Sequence, residues 1–224
     1  MALRQIANSV LRRLREDSIA SDWSGSYIDS NSLSDYQKLI IDFINEVKRE
    51  IEGAWDWSSL RRTETVTTVS GTQNYTLSDT SQRMRVLSVI EQSSGIVMHP
   101  VTDSWIKQAK YPTASVSSGQ PAYYAINGAS SGEMTVDLWS KPDAVYNIDF
   151  NIVDPQDDLT SATDTLTVLE NIVILGAWAR AIAERGEDGG SLASTAQQSY
   201  AQALQDAIAQ DMARNDLEVD WQVS

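Results

Sequence analysis

The chain has 224 residues, 42% of them hydrophobic, with no cysteine, a single histidine and a formal net charge of −14. That length and apolar content suit one large domain or two small ones, each with a proper core, and not a disordered chain. Without cysteine there is no disulfide scaffold, thiolate metal site or cysteine nucleophile, and the acidic balance argues against tight nucleic-acid binding, which needs Lys and Arg against phosphate.

The charge is uneven, with a net of −1 through Arg62 and −13 beyond it. Such acidity either keeps a protein soluble or lines a conduit that must repel the polymer it passes. The start of the chain lacks the long apolar core of a secretory signal, and no run approaches the roughly 18 apolar residues of a membrane span. The expectation is a soluble protein made in a cytoplasm.

In chain order, a first helix is predicted from about Ala2 to Asp17. Leu3, Ile6, Ala7, Val10, Leu11 and Leu14 form its apolar face, and Arg4, Arg12, Arg13 and Arg15 lie elsewhere on it. A basic helix can touch nucleic acid or a membrane surface. Arg late in a helix also suits the helix dipole, and a solvated or subunit-facing surface is the preferred reading. A Ser/Asp/Gly-rich connection follows from Ser18 to Ser32, its aromatics Trp23 and Tyr27 suggesting that it packs on something.

The stretch from Asn31 to Asp79 organises the rest. Ser34 and Gln37 make a capping box. Tyr36, Leu39, Ile40, Phe43, Ile44, Val47 and Ile51 follow the three-and-four spacing of one helix face. Gly53 loosens the end, and Trp55 and Trp57 mark a structural corner where two bulky side chains bury. From Thr63 the pattern becomes period two, and TETVTTV, Ser70-Gly71 and QNYTL read as a hairpin.

Further strands are predicted at Arg83–Glu91, after the Ser93-Ser94-Gly95 turn, at AYYAI, at MTVDLWS and at VYNIDFNIV, with turn signals at Asn127-Gly128 and Ser131-Gly132. A short helix capped by Thr102 has Trp105 and Ile106 facing in. Tyr111 to Gln120 is a Ser/Thr/Gly loop between Pro112 and Pro121, a natural place for partner contacts through Tyr111, Pro112, Thr113, Ser117 and Gln120. The strand spacing suggests an antiparallel sandwich or small barrel.

After an acidic loop at Asp154–Asp164, a helix is predicted from Thr167 with Glu170 completing a second capping box. Its apolar band is wider than one stripe, and Gly176 and the alanines permit close helix approach. The last helix runs from about Ser191 to Arg214, with Leu192, Ala196, Tyr200, Ala203, Leu204, Ala207, Ile208 and Met212 on one face. The final residues alternate, placing Leu217, Val219, Trp221 and Val223 on one side, a pattern that docks either on its own domain or, preferentially, on a partner. The fold class is therefore α+β. A four-helix bundle is formed by both chain ends (1–62 and 165–215), with a β domain (63–164) inserted and a docking tail at 216–224.

No catalytic constellation emerges. His99 stands alone, so zinc, triad and imidazole-relay sites lack partners. Phosphate-cradling glycine loops are absent, and Asp154, Asp157 and Asp158 lack the spacing of a calcium loop. No cofactor and no metal are expected.

The junction carries a resemblance. A helix running into AWDWSSLRRT, a Thr/Val strand, SGTQNYTL, and the apolar residues beside Arg83 and Arg85 (Val86 among them) resembles the head-to-tail adaptor (connector) proteins of tailed bacteriophages, nearest the tail tubular protein A type of short-tailed phages. The resemblance implies a non-enzymatic virion protein of the neck. It would form a homo-oligomeric ring, a dodecamer like the portal it sits beneath, between the portal protein and the tail tube or nozzle protein. DNA would pass through it without specific binding. The tail would engage the portal and the β-domain loop would meet the tail. The alternative is a glycan- or partner-binding module acting through exposed Trp, and a hydrolase with paired carboxylates ranks behind both.

Overall fold

The computed structural model describes residues 1–21, 23–110, 117–186 and 190–215. It is α+β, with helices α1 (Leu3–Leu14), α2 (Asp35–Ala54), α3 (Asp103–Lys110), α4 (Glu170–Arg185) and α5 (Ser191–Asn215), and strands β1 (Arg61–Thr67), β2 (Asn74–Thr76), β3 (Arg85–Glu91), β4 (His99–Pro100), β5 (Tyr123–Ser130), β6 (Glu133–Trp139) and β7 (Asn147–Val153). The chain divides into two compact units, Met1–Ser59 with Asp157–Ser224, and Leu60–Gln156.

The helical unit follows its apolar patterning closely. All six predicted core positions of α1 are buried. The helix stops at Leu14, short of Asp17, because Arg15 turns into the left-handed region (φ 59°) and closes the end with its N–H on the Arg12 carbonyl. Ser34 and Gln37 form the expected reciprocal cap of α2, 3.2 Å for Gln37 N–H to Ser34 Oγ and 3.0 Å for the return bond. Asn45 is buried on α2 and bonds both backbone groups of Leu159, at 3.0 and 2.8 Å. The segment after Asp157 is thereby held to the helices. Lys48 and Glu52, one helical turn apart, are both fully buried and paired at 3.2 Å, a pair the periodicity did not announce.

The predicted cap at Thr167 does not form. The helix begins at Glu170 after Leu169, and no side chain caps it. The Glu170 carboxylate instead pairs at 3.0 Å with the Met1 amino group, a charged partner that outcompetes a backbone N–H. On α5 the buried line is Ala196, Tyr200, Ala207 and Asp211, while Leu192 and Met212 are each 48% exposed. The alanine-rich sequence gives little contrast between faces, so the reading by periodicity placed Leu192 and Met212 inside.

Helix α4 is the centre of this unit and meets α1, α2 and α5. A β-carbon built on Gly176 would lie 2.6 Å from Val47 Cγ1 on α2 and 2.9 Å from the Tyr200 ring on α5. Glycine is therefore required here by packing, as the sequence suggested.

The second unit holds two open sheets, ordered β1-β7-β3 and β2-β6-β5-β4, with no closed barrel. The expected hairpin is absent. Ser70-Gly71 does turn the chain, with Gly71 at φ 82°, but β1 pairs with β7 and β2 with β6, in different sheets. On one face of the first sheet Thr63, Thr65 and Thr67 donate to Asn151, Asp149 and Asn147 at 2.7, 2.6 and 3.0 Å. These cross-strand pairs fix β1 on β7. Asn127-Gly128 is a bulge inside β5, not a turn, and the β5–β6 hairpin closes at Ser131-Gly132. One pair, β4 with β5, is parallel, so the unit is not wholly antiparallel. Val66, Val89, Ile148, Phe150 and Ile152 from one sheet share a core with Tyr124, Val136 and Leu138 from the other and with Leu77 just after β2, and Tyr124 meets Phe150 edge-on at 5.8 Å.

Replacing Gly176 by Ala forces Val47 or Tyr200 to move. It is expected to cost about 1–3 kcal/mol and to lower the midpoint of thermal unfolding by several degrees. An unchanged midpoint in a calorimetric scan would show that the helices do not need this approach.

Candidate functional site

Three sets of residues carry the surfaces through which this chain can act. The first is the foot of the β-domain loop. Tyr111, Pro112 and Thr113 lie outside the described residues. Ser117 and Gln120 are described and are firmly held. The Ser117 carbonyl accepts from Lys141 N–H at 3.0 Å, and Gly119 N–H donates to the Lys141 carbonyl at 2.9 Å. Gln120 Nε2 donates to Glu91 Oε2 at 3.0 Å and to Ser94 Oγ at 2.8 Å.

Glu91, missed in the sequence, is the hub of this foot. It ends β3 on the buried side and is itself fully buried. Its carboxylate accepts from Ser93 N–H at 3.0 Å, from Ser94 N–H at 2.7 Å and from both serine hydroxyls. Burial alone would raise its pKa. The four serine hydrogen bonds outweigh burial and lower it from 4.5 to about 2. The signal was present as a Glu at an inward strand position with two serines two and three residues on.

Beside this foot stands an aromatic cluster. Trp105 on α3 lies 5.3 Å from Tyr123 and 6.4 Å from Trp139, ring centre to ring centre, and Tyr123 is 6.1 Å from His99. Ile106 is buried as predicted. Trp105, expected to face in, is 40% exposed, and Tyr123 is 36% exposed. The short helix α3 has room for only one inward anchor. The rings are tilted at 42° to 89°, so they present a corrugated surface and not a flat platform.

The third set is the corner at Trp55 and Trp57. Trp57 is buried and donates from Nε1 to the Ile51 carbonyl at 2.6 Å. Trp55 is half-buried and donates to Asp211 Oδ2 at 3.1 Å. Asp211 also accepts from Ser58 N–H at 2.9 Å and from the Ser58 hydroxyl. Burial raises the Asp211 pKa, but the Ser58 and Trp55 donors outweigh it and hold the group below the usual aspartate range. Asp211 falls four residues after Ala207 on the inward line of α5, and a charge at that spacing was the readable sign. The predicted docking residues Leu217, Val219, Trp221 and Val223 lie outside the described residues.

No group of three His, Cys, Asp or Glu side chains among the described residues is placed to hold a metal ion. Asp154 is engaged by Arg62 at 3.0 Å and by Ser81 N–H at 2.9 Å, and Asp158 by Arg49 at 3.1 Å. No described helix is long and apolar enough to cross a membrane.

Glu91→Gln removes the charge that gathers the two serines. Because the folded carboxyl titrates at about 2 and not at 4.5, its contribution is present above pH 4.5 and lost as pH falls toward 2. The variant should be less stable at neutral pH by about 1–3 kcal/mol, and the gap to the parent should close in that acid window. Parallel denaturant melts at neutral and acid pH measure it, and a gap independent of pH would refute the hub.

No curated protein matches the chain. The family model of the SU10 adaptor protein matches residues 1–222, so the chain belongs to that family, one of phage head-to-tail adaptors with a structural role in the virion.

Proposed function

We propose that this protein is one subunit of a homo-oligomeric ring, dodecameric in the reading favoured by the resemblance, that joins the phage portal to the tail and forms part of the DNA channel. The observation that carries the reading is the family match over residues 1–222. The architecture is compatible with it. A helical unit is built from both ends of the chain, and a β unit with its own core is inserted between them in sequence. The chemistry asked of such a subunit is geometric and electrostatic. A net charge of −14 suits a wall that DNA must slide past without adhering.

In this reading residues 216–224 engage the portal through Leu217, Val219, Trp221 and Val223. The loop from Tyr111 to Gln120 faces the tail tube or nozzle. The rigid foot made by Ser117, Gln120 and Glu91 supports that assignment, since a contact loop presents its tip best from a fixed base. The exposed Trp105 and Tyr123 favour a second reading, a glycan-binding module, which predicts a Trp fluorescence change on adding sugars. Their tilted rings fit protein side chains better than the flat face of a sugar.

Light scattering of the protein alone and mixed with portal rings tests the proposal, and addition of copies in a stoichiometry matching the portal is expected. A chain ending at Arg214 should stay folded and lose portal binding. Full portal binding by that truncated chain would remove the assignment of the tail, and indifference of the full chain to portal would remove the adaptor reading.

A further inference from the structure

We propose that the basic corner at the end of α1, with the groove beside it, receives a second copy of this chain. The inference rests on the ring reading above. The helical unit has 22 acidic and 10 basic residues, so any cation in it has carboxylates to choose from. Seven of the ten basic side chains have an oxygen partner. Lys48 pairs with Glu52, Arg49 with Asp158, Arg180 with Glu46 and Glu50, Arg185 with Glu16, and Arg214 with Asp211. Arg4 and Lys38 reach the carbonyls of Ser21 and Ile28. Arg12, Arg13 and Arg15 are exposed and make no ion pair among the described residues.

Arg13 and Arg15 line a groove of about 310 Å³ together with Leu14, Trp178, Ile182, Arg185 and Leu192, and Arg12 precedes them on the same helix end. Arg13 lies 5.6 Å from the centre of the Trp178 ring, which holds one cation at the rim. Leu192 is exposed at the start of α5. The helix dipole favours cations at the end of α1, but it does not call for an apolar groove next to them. Cations around an apolar floor fit a protein surface that offers carboxylates and one apolar side chain.

A second copy is the occupant that the charge distribution favours. The chain carries the complementary acid excess itself, and a basic corner meeting an acidic surface of the next copy is a head-to-tail contact of the kind that closes rings. Duplex DNA fits less well. Three cations neutralise few phosphates, the apolar floor has no role against a phosphate backbone, and the rest of the molecule repels the polymer.

The test is native mass spectrometry of portal rings titrated with the full chain. A contact between copies makes filling cooperative, so rings should be mostly empty or full, and rising salt should spread the distribution. The variant R12Q/R13Q/R15Q should populate partly filled rings and need roughly tenfold more protein for half filling, while R12K/R13K/R15K should fill nearly as the parent does. All three arginines are exposed, and an unchanged melting temperature confirms the fold of both variants. Cooperative, salt-insensitive filling by the parent, or parent-like filling by the Gln variant, overturns the inference and leaves the adaptor reading intact. Loss of duplex binding by the Gln variant with ring filling unchanged overturns it in favour of nucleic acid. A parent chain that never adds to portal rings overturns both readings.

Discussion

The helical unit depends on one missing side chain. At Gly176 the backbone of α4 comes within van der Waals range of Val47 on α2 and Tyr200 on α5, and a single methyl group would occupy space those residues already fill. Close approach brings the wide apolar band of α4 against its neighbours and lets small residues pack without cavities. The alanines at 177, 179 and 181 are buried around the same place. The cost is glycine's poor helix propensity, about 1 kcal/mol, which the surrounding burial offsets. Tyr200 and Val47 are thereby fixed from both sides, and α5, which has few inward anchors of its own, gains one of its main contacts.

The same economy holds for polar groups inside each unit. Buried carboxylates are surrounded by donors close in sequence or one element away. Glu91 collects Ser93, Ser94 and Gln120, and Asp211 collects Ser58 and Trp55. A desolvated carboxylate with several donors keeps its charge and orders the chain that supplies them. Glu91 thus shapes the base of the β-domain loop, and Asp211 ties the end of α5 to the corner after α2. Lys48 and Glu52 achieve a similar end within one helix, at the expense of desolvating two charges.

Periodicity made the helices legible. The core face of α1 and the cap at Ser34 could be read from residue spacing, because each depends on neighbours within one or two turns, and Gly176 among alanines signalled a close approach without naming its partners Val47 and Tyr200. Strand pairing was less legible. Ser70-Gly71 turns the chain, but the partner of β1 is β7, some 80 positions on, and what selects it is the Thr–Asn and Thr–Asp ladder across that distance. Local alternation marks strands without saying which strand receives the side-chain bonds. Trp105 was misplaced for a related reason, since composition favours burying Trp whereas α3 is too short to bury both Trp105 and Ile106. Of the candidate site, Ser117, Gln120, Trp55 and Trp57 could be named from sequence. Their organisers Glu91 and Asp211 required knowing which way a strand and a helix face.

In the function proposed above, a subunit held between two other rings has no use for a convergent catalytic cluster, and its functional residues would be distributed accordingly. What it needs is loops presented from stiff bases, units that keep their own shape under load, and charge arranged so that neighbours attract while the transported polymer does not bind. The charges of the helical unit fit that division of labour. Arg49, Arg180 and Arg185 are spent on carboxylates of the same unit, which stabilises the subunit itself. Arg12, Arg13 and Arg15 at the end of α1 make no ion pair among the described residues. In so acidic a unit, cations without an ion pair among the described residues are the exception, and two of these three, Arg13 and Arg15, line one groove with Leu14, Trp178, Ile182 and Leu192, so the proposed contact would set attraction at that corner.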